Sequence, residues 1–423
     1  MSRAQGARAA MAFNFESVYG TPPGSGFRAV PFVSTDLGGE QPLLDNEVLG
    51  FGRDPLAPSR DAFNADGSVV IPLDVENLGL WLKATFGQPV TTATVAATGS
   101  ITFSAQPAVN ATVTINGTAF TFVASGATGN QCNIGANLAA TMTALAVVLN
   151  ASVVPGVAAA TYAATATAIN ITHDTLGHTG NAFTLAASVS PASNATVSAA
   201  TLTGGANDHT FTSGSWTLPS LSIETQMPEV PRFSMYSGAV VDELSWEMKR
   251  SGLLQATAKL IAQGETVVAA TAAGTLSAAL NYKRFSHFNG SVLRDGVAIA
   301  NITQARINYM NNLERIDAIR GDGKVEGVDP SIAALKGQIV TRFSDLTLFN
   351  QAIAGSPCAL QFAHTISASE KFTFTAHAVY LPRPRVPIKG PGGVEATFDW
   401  QAALATSPAR TATAVLTNSV AAY

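Results

Sequence analysis

A long stretch in the middle of the chain carries almost no charge. Between Lys83 and Arg232 there is no lysine or arginine, and from Thr91 to Gly205 the one charged residue is Asp174. Charged residues return at ordinary density on both sides. A block whose composition differs so sharply from its flanks indicates a separate module inserted into a host domain. The sequence therefore predicts a host domain in two parts, 1–98 and 207–423, and an inserted domain at 99–206.

Hydrophobic periodicity changes twice inside this block. The segment ATVTINGTAFTFVAS alternates on both sides of Asn116-Gly117, a dipeptide preferred by the type I′ turns of β-hairpins. Apolar residues then recur at steps of three and four, which predicts one helix. They are Ile134, Leu138, Met142, Leu145 and Leu149. Alternation returns after the helix, so we expect a small α+β unit.

The rest of the chain has the composition of a mainly β protein. Only 12% of all residues are charged, and 36 glycines and 21 prolines are spread along the chain, which favours strands joined by many turns. Hairpin turns are predicted at Asn289-Gly290 and Asp295-Gly296.

Two short helices are predicted in the host, one in each part. The first has Asp74 as N-cap, an apolar stripe of Val75, Leu78, Leu82 and Phe86, and a stop at Gly87 and Pro89. The second has Ser344 as N-cap, a stripe of Leu346, Phe349 and Ile353, and a stop at Gly355 and Pro357.

The glycine-rich stretch FESVYGTPPGSGF does not have the pattern of a phosphate-binding loop. It lacks the Gly-Lys-[Ser/Thr] ending of a P-loop and the Gly-x-Gly-x-x-Gly spacing of a dinucleotide turn. Pro22 and Pro23 also remove backbone N–H donors from any anion nest. We expect a turn between strands here and no cofactor.

Other candidate sites are equally weak, so we expect no metal site. His173 and His178 flank Asp174 in a loop, a pattern more typical of a solvated turn than of a metal site. The segment GDGKVEGVDP lacks the ligand positions of a calcium loop.

No catalytic residues are predicted, and we do not expect an enzyme. There is no Gly-x-Ser-x-Gly elbow with a plausible acid and histidine. Asp242, Glu243 and Glu247 alternate along a strand rather than form an acid/base pair. Cys132 and Cys358 are interpreted as two free buried thiols.

Charge and hydropathy limit the class of partner. A formal net charge of −4 gives no reason to expect tight binding to nucleic acid. The basic stretch Arg383–Gly393 lacks interleaved aromatic residues and favours a solvated or subunit-contacting loop. No signal peptide is apparent, and no run of about 20 apolar residues could span a bilayer. We expect no association with a membrane.

Several host segments succeed one another in a recognisable order. FESVYGTPPGSGFRAVPF contains Glu16, a Gly-Thr-Pro turn and a following strand, and NADGSVVIPLDVENLGLWLKATFGQP runs from a strand into a helix ending in Leu-Lys-x-x-Phe-Gly. YSGAVVDELSWEMKRSGLLQATAKLIAQGE is an alternating strand and a returning strand. Together with VLRDGVAI and the remainder of the chain after it, these segments resemble the major tail tube proteins of long-tailed, siphovirus-like bacteriophages, over 15–98 and 207–423. The inserted block is similar to the decoration-type domains that tail proteins carry on their outer surface.

This resemblance implies a structural virion protein of the phage tail. Its fold would be a β-sandwich or partial barrel that completes a multi-subunit β-barrel on oligomerisation. Homo-hexameric rings would stack into a hollow tube that conducts DNA during ejection without binding it specifically. The partners would be copies of the chain, the tape measure, tail terminator and distal tail proteins, with assembly in the host cytoplasm.

Two other classes of function remain open at this stage. A multi-domain β-rich adhesin could use the uncharged block to recognise a surface glycan, and Arg320-Gly321-Asp322 is an adhesion-like tripeptide. A β-rich hydrolase acting on a cell-surface polymer has only unplaced carboxylates to support it.

Overall fold

The computed structural model describes residues 3–388 and 390–423. After a 3-10 turn at Gly6–Arg8, the first part of the chain forms eight strands and one helix. These are β1 (Ala10–Phe15), β2 (Arg28–Ala29), β3 (Ser34–Thr35), β4 (Gly38–Glu40), β5 (Leu43–Asn46), β6 (Leu56–Arg60), β7 (Asn64–Pro72), α1 (Leu78–Phe86) and β8 (Val90–Phe103).

The charge-poor block continues from β8 with short elements. They are β9 (Thr112–Ile115), β10 (Thr118–Val123), β11 (Gln131–Asn133), α2 (Leu138–Asn150), β12 (Ala160–Ala164), β13 (Ala168–Leu176), a 3-10 turn at His178–Ala182, β14 (Leu185–Ala187) and β15 (Ala195–Val197).

The last part of the chain is almost entirely β. Its strands are β16 (Ala206–Thr212), β17 (Leu221–Met227), β18 (Arg232–Lys249), β19 (Gln255–Ala262), β20 (Gly264–Val268), β21 (Gly290–Arg294), β22 (Val297–Ala298), β23 (Ile302–Met310), β24 (Leu313–Ile316), β25 (Gly327–Pro330), β26 (Ala334–Arg342), β27 (Cys358–Ser367), β28 (Glu370–Tyr380), β29 (Glu395–Ala403) and β30 (Ala412–Asn418). A 3-10 turn lies at His287–Asn289, and α3 spans Thr347–Ala354.

Two antiparallel sheets enclose the main core. In sheet one, β7 carries β3 and β4 on one edge and is followed by β19, β18, β23, β26 and β29. In sheet two, the order is β22, β21, β27, β28, β30, β16 and β8. The ends of β28 and β29 pair and join the two sheets. The expected mainly β sandwich is confirmed.

The long strand β18 belongs to two sheets. Its second half pairs with β19 and β23, whereas its first half pairs with β17 and β20, and β17 continues the ladder to β1. Helix α1 is buried in the core of the sandwich, where the ring of Phe86 lies 4.5 Å from Tyr309 and 6.4 Å from Phe374.

A second hydrophobic core lies within the charge-poor block. Its fully buried members fall between Ala97 and Leu202. One sheet has the order β12, β13, β8, β15 and the other β11, β10, β9, β14. The expected hairpin turns at Asn116 and Gly117, both with positive φ, and α2 buries Met142, Leu145 and Leu149 as expected.

Local predictions are wrong at three places in the chain. The N-cap of α1 is Asn77, because Asp74 Oδ1 instead accepts from the backbone N–H groups of Glu76 and Asn77 at 2.9 and 2.6 Å and holds a turn before the helix. Asn289 ends a 3-10 turn, and Gly290, with a φ of −78°, begins β21 directly. The other predicted hairpin, at Asp295-Gly296, is confirmed.

The third place is α3, where the N-cap and two of the three stripe residues are predicted wrongly. The helix begins at Thr347, whose N–H donates to Asp345 Oδ1 at 2.8 Å, so Ser344 is not its cap. Its fully buried residues are Leu348 and Ala352, and of the predicted stripe Phe349 packs partly buried against the core. Leu346 precedes the helix and, like Ile353, is more than half exposed. The predicted stop at Gly355 is correct, since this residue takes the left-handed conformation.

Carboxylates anchor loops to the sheet formed by the first half of β18. Glu16 accepts from the Gly20 and Gly238 N–H groups, both at 2.8 Å, and from Ser220 and Ser222 at 2.7 and 2.6 Å. Glu224 is fully buried and accepts from the backbone N–H groups of Ala272 and Ala273 at 2.6 and 3.1 Å. Each carboxylate therefore ties a loop to a strand that lies far from it in sequence.

Both thiols are free and buried, as expected, and burial raises the pKa of each to about 11. None of the helices in the described part of the chain has the length and apolarity needed to cross a bilayer.

Replacing Glu16 with alanine should destabilise the fold by about 3 kcal/mol, because four donors lose a charged acceptor at once. Urea unfolding of the variant measures this loss. Glu47→Ala, at an exposed position, is the matched control and should change the free energy of unfolding by less than about 0.5 kcal/mol. Equal effects in the two variants would contradict the anchoring role.

His364 on β27 should make the fold sensitive to acid. It has no exposed surface, and burial together with the nearby His287 lowers its pKa to about 4. The unfolded chain binds this proton near pH 6.5, so the free energy of unfolding should fall by about 3 kcal/mol as the pH drops from 6.5 to 4. Urea titrations across this range should show a shallower decline for His364→Phe, and an identical decline would contradict this assignment.

Candidate functional site

The residues considered as metal ligands each have a separate partner. His173 Nδ1 lies 3.0 Å from the Thr175 carbonyl oxygen, Asp174 accepts from Thr161 at 2.7 Å, and His178 Nδ1 lies 3.0 Å from Asn207 Nδ2. Across the described ranges, no three His, Cys, Asp or Glu side chains come together in a group that could hold a metal ion.

The charged motifs are also engaged within the chain. Arg320 donates to Glu326 at 2.5 Å and to Asp322 at 2.9 and 3.0 Å, so both charges of the tripeptide are engaged within the chain. The contact with Arg320 holds the pKa of Asp322 well below its usual range. Glu243 pairs with Lys259 at 2.6 Å.

In the basic loop, the guanidinium of Arg383 lies over the Phe349 ring at 5.8 Å, and Lys389 lies outside the described residues. Its role as a solvated or subunit-contacting loop stays a prediction.

A group of exposed apolar side chains lies on a hairpin, which we call the arm (residues 41–62). Among the described residues, its strands β5 and β6 pair only with each other, in a two-stranded sheet. Leu49 is 92% exposed and Phe51 69% exposed, and Leu43, Leu44 and Val48 are exposed beside them. Isolated two-stranded hairpins are marginal in water, and groups of exposed apolar side chains are typical of interaction surfaces.

A second hairpin contrasts with the arm because it is anchored. Strands β24 and β25 also form a two-stranded sheet, but Arg315 of β24 pairs with Asp66 of β7 and donates to Asn64 at 3.1 Å. In the loop between the two strands, the carbonyl oxygen of Gly323 accepts a hydrogen bond of 2.9 Å from the Phe63 N–H. This hairpin therefore lies against the body of the chain.

An open sheet edge completes the candidate surface. Strand β29 pairs with β26 along one edge, but on the other edge only Gln401–Ala403 pair, with β28. The outer edge of 395–400 has no strand partner in the described chain. A cavity of about 570 Å³ lies nearby, lined by Lys336, Gly337, Tyr380, Leu381, Trp400 and Gln401 among others. Unpaired edges and exposed apolar arms are the features through which β-proteins associate.

Sequence reasoning does not identify this surface. The arm has the pattern of a Gly-rich strand, and its one usable signal is the pair of leucines between Pro42 and Asp45 in a Gly- and Pro-rich segment. The open edge of β29 depends on the pairing of strands distant in sequence, which alternation alone does not reveal.

A comparison with protein families gives one match. The model of a family described as "Phage tail tube protein" matches residues 6–207 and 177–402, which together span 6–402. No curated protein matches the chain.

Proposed function

The chain belongs to the phage tail tube protein family, and we propose that its copies form rings that stack into the hollow tube of a long, siphovirus-like phage tail. The tube conducts DNA during ejection, and its rings have the six-fold arrangement that the resemblance implies. The role is structural rather than enzymatic. Assembly takes place in the host cytoplasm, with the tape measure, tail terminator and distal tail proteins as further partners.

The observation that carries this proposal is the arm. A protein that worked as a monomer would gain nothing from Leu49 and Phe51 in water, where apolar area costs about 25 cal/mol per Å². Contact with a second copy removes this area from water and gives the two-stranded sheet of the arm a surface to pack on.

The outer face of sheet one suits contact with DNA that must slide. Three of its cations pair with carboxylates on the same or the next strand: Lys259 with Glu243 at 2.6 Å, and Lys249 and Arg306 with Glu247 at 2.5 and 3.5 Å. Paired cations have less attraction for phosphate than free ones, because binding would first break the existing pair.

We also propose that residues 99–206 form an inserted domain on the outside of the tube. The second core draws on side chains between Ala97 and Leu202 alone, and the block leaves and re-enters the host through the paired strands β8 and β16. A folded unit of this size attached at the edge of sheet two would obstruct a channel, and we therefore place it outward.

Electron microscopy of the purified protein tests the proposal. Wild-type protein at high concentration should form rings or tubes with a central channel, and a protein that stays monomeric under all conditions would contradict the function. The arm variant Leu49→Ser with Phe51→Ser should assemble poorly while unfolding at the same urea concentration. The control, Val153→Ser with Val189→Ser, changes two side chains of the inserted block that are each 92% exposed and should assemble normally.

Removing the inserted block should leave tube formation intact. Val95 and Ala206 already face each other across β8 and β16, so an Asn-Gly turn can replace 96–205. We expect this variant to fold and to form thinner tubes in electron micrographs. Loss of host folding, measured by circular dichroism, would contradict the proposed domain division.

A further inference from the structure

Two parts of the host repeat the same order of elements. Residues 32–95 contain β3 and β4, a two-stranded hairpin, β7, α1 and the start of β8, and residues 302–367 contain β23, a two-stranded hairpin, β26, α3 and β27. Strands β7 and β26 both have nine residues, and the second begins 270 positions after the first (64 and 334). We call these segments unit 1 and unit 2.

Backbone pairing repeats at the same shift. Gly38 pairs with Asp66 in unit 1 and Asn308 with Lys336 in unit 2, and Leu43 pairs with Arg60 as Leu313 pairs with Pro330. At the base of the hairpins, the Asp61 N–H donates to Pro42 and the Ser331 N–H donates to Asn312. Every one of these equivalences is a shift of 270 residues, so the two hairpins occupy equivalent places.

Glycines with the same structural task also recur. A Cβ at Gly67 of β7 would collide with the backbone of Leu37, and a Cβ at Gly337 of β26 would collide with the Arg306 carbonyl. In both places a neighbouring backbone approaches the strand too closely for a side chain. Both helices end at a glycine followed two residues later by a proline, Gly87 with Pro89 and Gly355 with Pro357.

The two units differ mainly in the connection that follows the strand after the helix, which in unit 1 contains the charge-poor block. After the helix, β8 pairs with β16 in unit 1 and β27 pairs with β28 in unit 2. In unit 2 the connection is a tight turn, because Ser367 pairs with Glu370. In unit 1 the same connection holds residues 96–205. Unit 2 therefore shows the fold of the unit without the block.

We propose that one chain supplies two tube units in tandem, so that three chains, not six, close each ring. The inference rests on the proposed function, which provides the ring of six units. Within sheet one, unit 1 already connects to unit 2: β7 pairs with β19, β19 with β18, and β18 with β23 of unit 2. On the other side of unit 2, β26 pairs with β29, and within the described residues no strand continues the sheet beyond the open edge of β29 at 395–400. Unit 1 of a second copy completes the sheet.

The packing within the chain indicates how the next copy is held. The hairpin of unit 2 lies on unit 1 through Arg315 and Asp66. At the same shift, Arg315 corresponds to Asp45 of the arm and Asp66 to Lys336 of unit 2. The signs of both charges are reversed, so the pair remains complementary. The arm of unit 1 therefore lies on unit 2 of a second copy, with Asp45 against Lys336 of the partner subunit.

Both members of this pair are available in the single chain. Asp45 and Lys336 are exposed, and neither takes part in an ion pair within the described ranges. Lys336 lines the cavity of about 570 Å³ beside Tyr380 and Leu381. The exposed leucines of the arm, next to Asp45, have in this cavity an apolar place to pack.

A charge exchange tests the contact. Asp45→Lys and Lys336→Asp should each raise the concentration needed for assembly about tenfold, because each puts like charges together at an interface. The double variant should assemble within about threefold of wild type. Glu47→Lys makes the same change of charge nearby in the arm and should not be rescued by Lys336→Asp. Additive losses in the double variant would overturn the proposed contact.

The number of chains in a ring tests the tandem arrangement. Native mass spectrometry of isolated rings should give about 130 kDa, three times the 43.5 kDa chain. End-on averages of tubes should show three outer projections, which the variant lacking 96–205 should lose while its wall becomes nearly six-fold. Six chains per ring would overturn the inference and leave the tube function standing, whereas absence of rings and tubes would overturn the proposed function and the inference with it.

Discussion

The architecture depends on the pairing of β18, because this strand joins parts of the chain that would otherwise be separate. One half of β18 carries β17 and β20, and the other half connects β19 to β23. Sheet one therefore runs without interruption from β7 to β29 through a junction between two similar units. Antiparallel pairing provides hydrogen-bond partners for the backbone N–H and C=O groups along this path. Because the sheet ends at β29, the backbone groups on the outer edge of 395–400 have no strand partner within the described residues.

The open edge of β29 and the exposed arm both lack a packing partner within the described chain, and we expect a second copy to supply both partners. Unit 1 of one copy would pack on unit 2 of the next copy, at each end of sheet one. The apolar residues of the arm would then be buried at this contact. The hairpin β24–β25 shows the completed state within a single molecule, anchored through Arg315. Burial of the arm and pairing of the edge act together, so association provides free energy that the isolated chain lacks.

Much of the fold could be predicted from local patterns, whereas the surface for assembly could not. Alternation, the Asn116-Gly117 turn and the compositional break at Thr91 depend on neighbours in sequence, and they indicated strands, a hairpin and a distinct block. The predicted stripe of α3 fails because the helix begins at Thr347, three residues after the predicted cap Ser344, so that Leu348 and Ala352 face the core. The repeat of β7 in β26 escaped sequence reasoning because few residues are shared. What recurs is register, and register appears only when partner strands are known.

Hydrogen exchange of the unassembled chain and the assembled tube tests the central claim, that the chain is completed by another copy of itself. Amides of the arm and of 395–400 should exchange rapidly in the free chain and become protected on assembly. Amides of β24 and β25, already anchored, should change little. Unchanged exchange in the arm and along 395–400, with new protection confined to other surfaces, would contradict the claim.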